Sequence, residues 1–235
     1  MQHFDSEIHN RILARNNYSS RTFVSINDVE YTEHELFRVR TSHNVFGDAP
    51  TVGKAIVGEI DVTLKEPLVE IPSMASIKPN VQIFDEQEES DIRIPKGTFY
   101  IDTRDFDEGS KHLILHGYDS MLKAENYYTG SHLEWPEAAR PVLDEIAAII
   151  GVELDDRTKV MFPYSETSKI VQFPAQYTMR EILGYIASTK CGNFIMSNQD
   201  KLLFIGINEL PEETNLLVTE TGDRIVFGHD RILLR

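Results

Sequence analysis

Residues 178–207, TMREILGYIASTKCGNFIMSNQDKLLFIGI, constrain the fold more than any other stretch of the chain. Thr178 stands three residues before Glu181, the spacing at which a hydroxyl accepts the Glu181 amide while the carboxylate reaches back to the Thr178 amide. Met179, Ile182, Leu183 and Ile186 follow at i, i+3, i+4 and i+7, one buried face of a helix. Gly192 is the expected left-handed stop after Lys190 and Cys191. Phe194-Ile195-Met196 and residues 202–207 are two apolar runs separated by Ser197-Asn198-Gln199-Asp200-Lys201, the pattern of a hairpin. The stretch therefore specifies a helix laid on a hairpin.

The chain before Gly117 has a different texture. Residues 1–20 carry little periodicity and read as a lead-in arm. Residues 21–26 (RTFVSI) are followed by the turn pair Asn27-Asp28 and then Val29-Glu30-Tyr31. Residues 35–46 contain Leu36, Phe37, Val39 and Val45. Within residues 55–64 the alternation begins at Glu59, with Ile60, Val62 and Leu64 on one face and Glu59, Asp61 and Thr63 on the other. Residues 81–85 form another strand, and the acidic run 85–91 reads as a solvated turn. Residues 98–106 set Phe99, Ile101 and Thr103 against Tyr100, Asp102 and Arg104; Asp107-Glu108-Gly109-Ser110 turns the chain and residues 111–116 return. Strands at this density, with no long helical pattern, predict a small closed antiparallel barrel. Closure would also remove exposed sheet edges.

After Gly117, residues 118–123 begin a short helix that leaves the barrel. Ala139, Val142, Leu143, Ile146, Ile149 and Ile150 then form one stripe along a longer helix, which Gly151 ends. Pro141 leaves two starts open: Pro141 as first helical residue, or a preceding turn from Pro136. Val152-Glu153-Leu154 is extended, and residues 169–173, stopped by Pro174, are expected to pair with the 178–207 unit. Strand texture resumes at Leu216-Leu217-Val218, residues 224–227 and Ile232-Leu233-Leu234. The class is α+β: a small antiparallel β-barrel with its arm over 1–117, a mixed α/β domain over 118–207, and a C-terminal β segment over 208–235. That segment is expected to return to the barrel, with 216–234 hydrogen-bonded to strands of 21–116.

Charge and cysteine content narrow the function. A net charge of −15 argues against binding a nucleic-acid backbone, which requires a local excess of Lys and Arg. No run approaches the length of a membrane span. Residues 1–17 are mixed in charge and lack the apolar core of a secretory signal. The single cysteine, Cys191, excludes an intramolecular disulfide, and it reads as a small apolar residue buried at a helix end.

Catalytic patterns fail on spacing or context. Residues 47–55 (GDAPTVGKA) suggest a phosphate loop, but five residues separate the glycines and Ala55 stands where a Mg²⁺-binding Ser or Thr belongs. Asp102, Asp105, Asp107 and Gly109 lack the glycine and closing glutamate of a calcium loop. Ser120 and Lys123 match S-x-x-K without its companion elements. His112 and His116 sit on one face of a strand about 13 Å apart, too far for one metal. The other histidines, 3, 9, 34, 43, 132 and 229, show no ligand spacing. Trp135 precedes the second helix and reads as a staple onto it rather than a ligand platform. No residue is assigned a catalytic, cofactor-binding or metal-binding role.

TMREILGYIA followed by CGNFIMSNQDKLLF resembles the middle domain of baseplate hub proteins of long-tailed bacteriophages and prophages. Two further blocks resemble that family in the same order: IPKGTFYIDTRDFD…LILHGYDSMLKAE within 94–125, and WPEAARPVLDEIAAIIGVELD over 135–155. The resemblance implies a structural tail protein linking the tail tube to the tip. It implies a homotrimer in contact with other tail and baseplate proteins, located in the virion tail and in the host cytoplasm during assembly. It implies no enzyme activity, no cofactor, no sequence-specific nucleic acid and no membrane span. The alternative from the same setting is a cell-wall hydrolase or glycan-binding module. In the family the α/β domain is an insertion, after which the chain builds another barrel. By that analogy this chain stops short of a full product or of a closed second β-domain.

Overall fold

The computed structural model describes residues 18–42, 51–65, 70–85, 92–166, 169–170, 175–207, 225–228 and 231–234. Residues 43–46 of the strand-like stretch 35–46, residues 47–50 of the expected loop 47–55, residues 86–91 of the acidic turn 85–91 and most of the lead-in arm lie outside these residues. β1 (Tyr18–Ile26) and β2 (Val29–Tyr31) form a hairpin closed by Asn27 and Asp28, both left-handed at φ 49° and 66°. That conformation matches the twist of the flanking strands. β3 (Leu36–Ser42) follows after a short connection, and β4 (Lys54–Ala55) then leaves for a second sheet. β5 (Glu59–Leu64), β6 (Ser76–Asp85), β7 (Ile92–Pro95), β8 (Phe99–Asp107) and β9 (His112–Asp119) complete the first sheet. Its hydrogen-bonded order is β2-β1-β6-β8-β9-β5-β3, antiparallel throughout, with β7 beside β6.

The alternation of β5 is as expected: Ile60, Val62 and Leu64 are fully buried. Tyr31 of β2 and Leu36 of β3 stand at opposite ends of the strand path, yet both join one core with Val24, Val62, Phe99 and Leu115. The path therefore curls around a single cluster. No ladder joins β2 to β3 among the described residues, so the path is open where the sequence suggested a closed barrel.

One expected face is wrong, for a local reason. Ile101 lies opposite Gly117 and Thr103 opposite His116, so Asp102 is an extra residue in β8. A bulge of one residue flips every following side chain to the other face. Thr103 therefore turns to the outer side with His116, while Arg104 and Phe106 oppose Leu115 and Leu113. The Arg104 guanidinium donates to the Ile71 carbonyl.

A 3₁₀ turn at Ser120–Glu125 leaves the first sheet, as the short helix over 118–123 anticipated. β10 (Glu137–Ala138) leads into α1 (Ala139–Ile150), and β11 (Glu153–Leu154) into α2 (Asp156–Met161). β12 (Lys169–Ile170) pairs with β10, not with the 178–207 unit. α3 (Met179–Thr189), β13 (Gly192–Met196) and β14 (Lys201–Gly206) form the expected helix on a hairpin. The second sheet runs β11-β14-β13-β4, with β4 and β11 parallel to their neighbours.

α1 begins at Ala139, which leaves Pro141 in the first turn, where a missing N–H costs no hydrogen bond. Gly151 ends it at φ 81°. Val142, Leu143, Ile146, Ala147 and Ile150 are buried, whereas Ile149 is exposed, about a quarter-turn from the stripe's centre. α2 carried no clear signal. Its buried Thr158 hydroxyl donates to the Leu202 carbonyl at 3.1 Å and accepts the Phe204 amide at 2.8 Å, extending the edge of β14 beyond β11.

The capping box is present in full: Thr178 N donates to Glu181 Oε2 at 2.8 Å, and Glu181 N to Thr178 Oγ1 at 3.1 Å. The roles expected of Cys191 and Gly192 are exchanged. Cys191 takes the left-handed position at φ 53° and is exposed, not buried. Gly192 opens β13, where a Cβ would stand 2.3 Å from the Ile205 carbonyl and 2.4 Å from the Phe204 ring. Packing, not a turn, demands glycine there.

β15 (Ile225–Gly228) and β16 (Arg231–Leu234) pair with each other as a two-stranded sheet. Among the described residues this hairpin forms no ladder with the first sheet, to which 216–234 was expected to return. The rest of 208–235 lies outside the described residues.

Ile182→Asp tests the second core. Ile182 is 2% exposed among Met179, Leu183 and Ile186. An unpaired carboxylate there should cost roughly several kcal/mol, comparable with the stability of a small domain. The expected outcome in thermal melting is loss of the cooperative transition; an unchanged melt sinks the assignment of this face.

Candidate functional site

The residues that suggested a phosphate loop build the joint between the two sheets. Gly53 N donates to the Gly192 carbonyl at 2.8 Å and Ile56 N to the Phe194 carbonyl at 2.8 Å. Between them, the fully buried Asn193 takes the Lys54 amide on Oδ1 at 2.9 Å and donates Nδ2 to the Thr51 carbonyl at 2.7 Å. Arg180 Nε donates to the Ala55 carbonyl at 2.7 Å. A Cβ on Gly184 would stand 2.6 Å from the Gly53 carbonyl, so α3 lies on this strand only because residue 184 is glycine. Among the described residues, Thr51, Gly53, Lys54, Ala55 and Ile56 each commit a main-chain group to a protein partner.

Asp119 fastens the other side of the joint. Its Oδ2 accepts Gly58 N at 2.8 Å, its Oδ1 accepts Met121 N at 3.0 Å, and its own N donates to the Gly58 carbonyl at 3.0 Å. Burial pushes the Asp119 carboxyl up to about 7; the Gly58 and Met121 amides oppose this, and the Asp200 charge adds to it. Asp200, in the turn between β13 and β14, is also raised, first by burial, with the Ser120 hydroxyl and the Lys123 and Lys78 charges opposing.

The sequence motifs are dispersed through the structure. Asp107 closes the β8–β9 turn by accepting Gly109 N and the Ser110 hydroxyl, and the latter bond most strongly holds its carboxyl below the usual range. Ser120 is buried, and Lys123 is engaged elsewhere, with Nζ 3.3 Å from the Ile150 carbonyl and 4.8 Å above the Tyr100 ring. His112 packs on Phe37 at 4.8 Å, while His116 Nδ1 meets Asp61 at 2.8 Å. Among the described residues no three His, Cys, Asp or Glu side chains are grouped to hold a metal. Trp135 packs on the second core, edge-on to Tyr128 at 6.5 Å.

Glu145 on α1 holds the loop ahead of that tryptophan. It accepts the Tyr128 hydroxyl, the Ser131 hydroxyl at 2.8 Å and the His132 amide at 2.9 Å. Burial disfavours its charge, but the three donors together outweigh it and hold the carboxyl below its ordinary value. Glu145 is therefore a structural clasp.

Clefts lie along the joint. One of about 550 Å³ is lined by Ser42, Ile56, Val57, Glu59, Tyr118 and Arg180. Another, about 280 Å³, brings Thr22, Thr41 and Asn80 of the first sheet to Asn198 of the second. The sequence pattern singles out neither Asn193 nor Asp119; the one signal is a polar residue between Gly192 and the apolar run Phe194-Ile195-Met196.

No protein-family model and no curated protein sequence matches the chain. Solved structures do. A tail protein from Neisseria meningitidis MC58 aligns with TM-score 0.50 and 14% identity over 83% of this chain and 53% of that one. The 43 kDa tail protein of prophage MuSo2 from Shewanella oneidensis aligns with TM-score 0.49 and 12% identity over 79% and 53%. A Francisella PdpA–VgrG complex aligns with TM-score 0.44 and 11% identity over 85% and 33%. The chain thus spans about half the length of the two tail proteins. At these identities the Neisseria likeness shows a shared fold.

Two variants test the joint and the clasp. Asn193→Leu leaves the Lys54 amide and Thr51 carbonyl unpaired and should cost roughly 2–3 kcal/mol, read as a lower urea midpoint and faster exchange of the Lys54 amide. Unchanged exchange there would refute the pin. For Glu145 the folded pKa is depressed, so its contribution is present above the ordinary value of 4.5 and is lost as pH falls through the folded pKa. The melting-temperature gap between wild type and Glu145→Gln should therefore narrow on acidification; a constant gap contradicts the clasp.

Proposed function

We propose that the chain is a structural protein of a bacteriophage or prophage tail, hub-like, joining the tail tube to the tip of the baseplate. The fold shared with the Neisseria meningitidis tail protein carries the reading. The order of the hub-like blocks along the sequence supports it, as does a joint whose polar groups hold main-chain segments. In this reading 1–117 is the first β domain with its lead-in arm, 118–207 is an inserted α/β domain, and 208–235 is a C-terminal β segment. Its partners are copies of itself, as a homotrimer, and other tail and baseplate proteins. Its place is the virion tail, after assembly in the host cytoplasm. The work is geometric, and no catalytic role is assigned.

Disrupting the gene in its host prophage and viewing induced particles tests the role. Heads without complete tails are expected; normal, infective tails overturn it. Oligomerisation gives a second test. A trimer brings together three times a charge of −15, so light scattering should show trimers forming more readily as salt rises and screens the repulsion. A stable two-fold dimer at both low and high salt contradicts the trimer. Degradation of purified peptidoglycan, abolished by a single carboxylate or His substitution, would favour the hydrolase alternative.

A further inference from the structure

We propose that the free edge of β3 docks one extended segment of a partner protein, whose side chains alternate between apolar and acidic. Among the described residues β3 pairs with β5 alone, and on the side of β1 away from β6 the ladder with β2 spans only Val24–Ile26. The chain leaves β2 through a turn in which the Glu35 and Leu36 amides both donate to the Thr32 carbonyl, at 3.1 and 2.8 Å. That turn diverts β3 from the line of β2, and the first sheet stays open between β3 and β1. Every ladder on the path from β1 through β6, β8, β9 and β5 to β3 is antiparallel, so β1 and β3 run in opposite directions. A segment paired antiparallel with β3 would run parallel to β1. An edge row of amides and carbonyls is a template for such an added strand.

Main-chain pairing holds such a segment, and clefts on the two faces of the edge choose its alternate side chains. β3 has a cleft on each face. Val39 and Thr41 stand opposite the buried Val62 and Ile60, on the core side. They line the cleft of about 280 Å³ together with Thr22 of β1 and with Pro79 and Val81 of β6. This lining suits an aliphatic side chain. Ser42, on the outer face, opens the cleft of about 550 Å³ toward Ile56, Val57 and Leu122. Leu122 is apolar and yet 41% exposed. Arg38 and Arg40 share the outer face with Ser42; both are exposed, and neither forms an ion pair among the described residues. Arg40 stands opposite Asp61 in the ladder, but Asp61 is bonded to His116 Nδ1 at 2.8 Å. Glu59 lines the outer cleft near Ser42, so acidic side chains of the partner belong beside Arg38 and Arg40, with an apolar one at the Ser42 end. Two arginines side by side on one face of an edge, in a chain of net charge −15, set the sign of the partner. The site concerns β3 alone and stands or falls independently of the tail reading.

Fluorescence anisotropy and hydrogen exchange on the full chain test it. The probe is a fluorescein-labelled peptide alternating glutamate and valine over seven residues, the length of β3. It should bind saturably and slow exchange of the β3 amides that face away from β5, while amides in the middle of α1 keep their rates. A peptide with lysine in place of glutamate, and one with proline at its centre, should each bind on the order of tenfold more weakly or worse. In Arg38→Glu/Arg40→Glu, which alters exposed side chains only, the preference should reverse, with the lysine peptide binding more tightly than the glutamate peptide. Absence of saturable binding overturns the site. So does equal affinity for the glutamate and lysine peptides, an unchanged preference in the double variant, undiminished binding of the proline peptide, or binding that leaves β3 exchange unaltered. If the same amides are already protected in the free monomer, the chain itself fills the edge; if protection appears only as copies associate, a second copy does. Either result overturns the partner site.

Discussion

Asn193 reaches back 139 residues to pair with Lys54, and the rest of the architecture depends on that reach. The second sheet takes its edge strand from a segment that precedes it by most of the chain. The segment continues through Ile56 to Gly58 and enters β5 of the first sheet. Neither unit is thus complete without chain that belongs, by sequence, to the other's neighbourhood. Contacts of such separation cost loop-closure entropy before they return any stabilisation. They survive here because the docked strand is fitted on every side. Asn193 satisfies its polar groups, Gly184 allows backbone to touch backbone, Gly53 leaves room for the Ser188 hydroxyl, and Ala55 enters the second core.

That core explains why the docking groove is rigid. Phe162, Phe194 and Phe204 contribute one ring each, at centroid separations of 5.9, 5.1 and 5.4 Å, in stacked and edge-on pairs. Two of the rings sit on β13 and β14, so the sheet that receives β4 is held by aromatic packing as well as by its ladder. Phe204 also defines the space into which Gly192 fits. The polar pin at Asn193 and the apolar wedge at Phe194 are adjacent residues facing opposite sides of one strand.

What the sequence disclosed divides by distance along the chain. The capping box of α3, the alternation of β5 and the left-handed stop at Gly151 are local, and each is legible because the residues that cause it are neighbours. The bulge at Asp102 is not legible: the alternation 99–106 looks uninterrupted, and only the register against β9 shows where a residue is extra. Gly192 is ambiguous in the sequence because a glycine after a helix has two uses, a left-handed turn and a close approach, and only the position of Phe204 separates them. β12 was assigned to the wrong partner for the same reason, since a short apolar run does not name the strand it joins. Of the joint, the sequence offered a phosphate-loop lookalike and a stray Asn; its pairing partner lay too far away to be inferred.

The joint also bears on how such a subunit would act in a tail. Two units connected by one linker default to relative motion, and their interface resists it only if large. Here two passages of chain cross within hydrogen-bonding distance of each other, and Asp119 bonds one to the other at both main chain and side chain. A rotation about either passage must break the bonds of the second. The α3 contact adds a further restraint, because Arg180 grips the Ala55 carbonyl just before the crossing. Displacement of one sheet is therefore transmitted to the other instead of being absorbed in a hinge. That property follows from how the strand is captured between the two sheets.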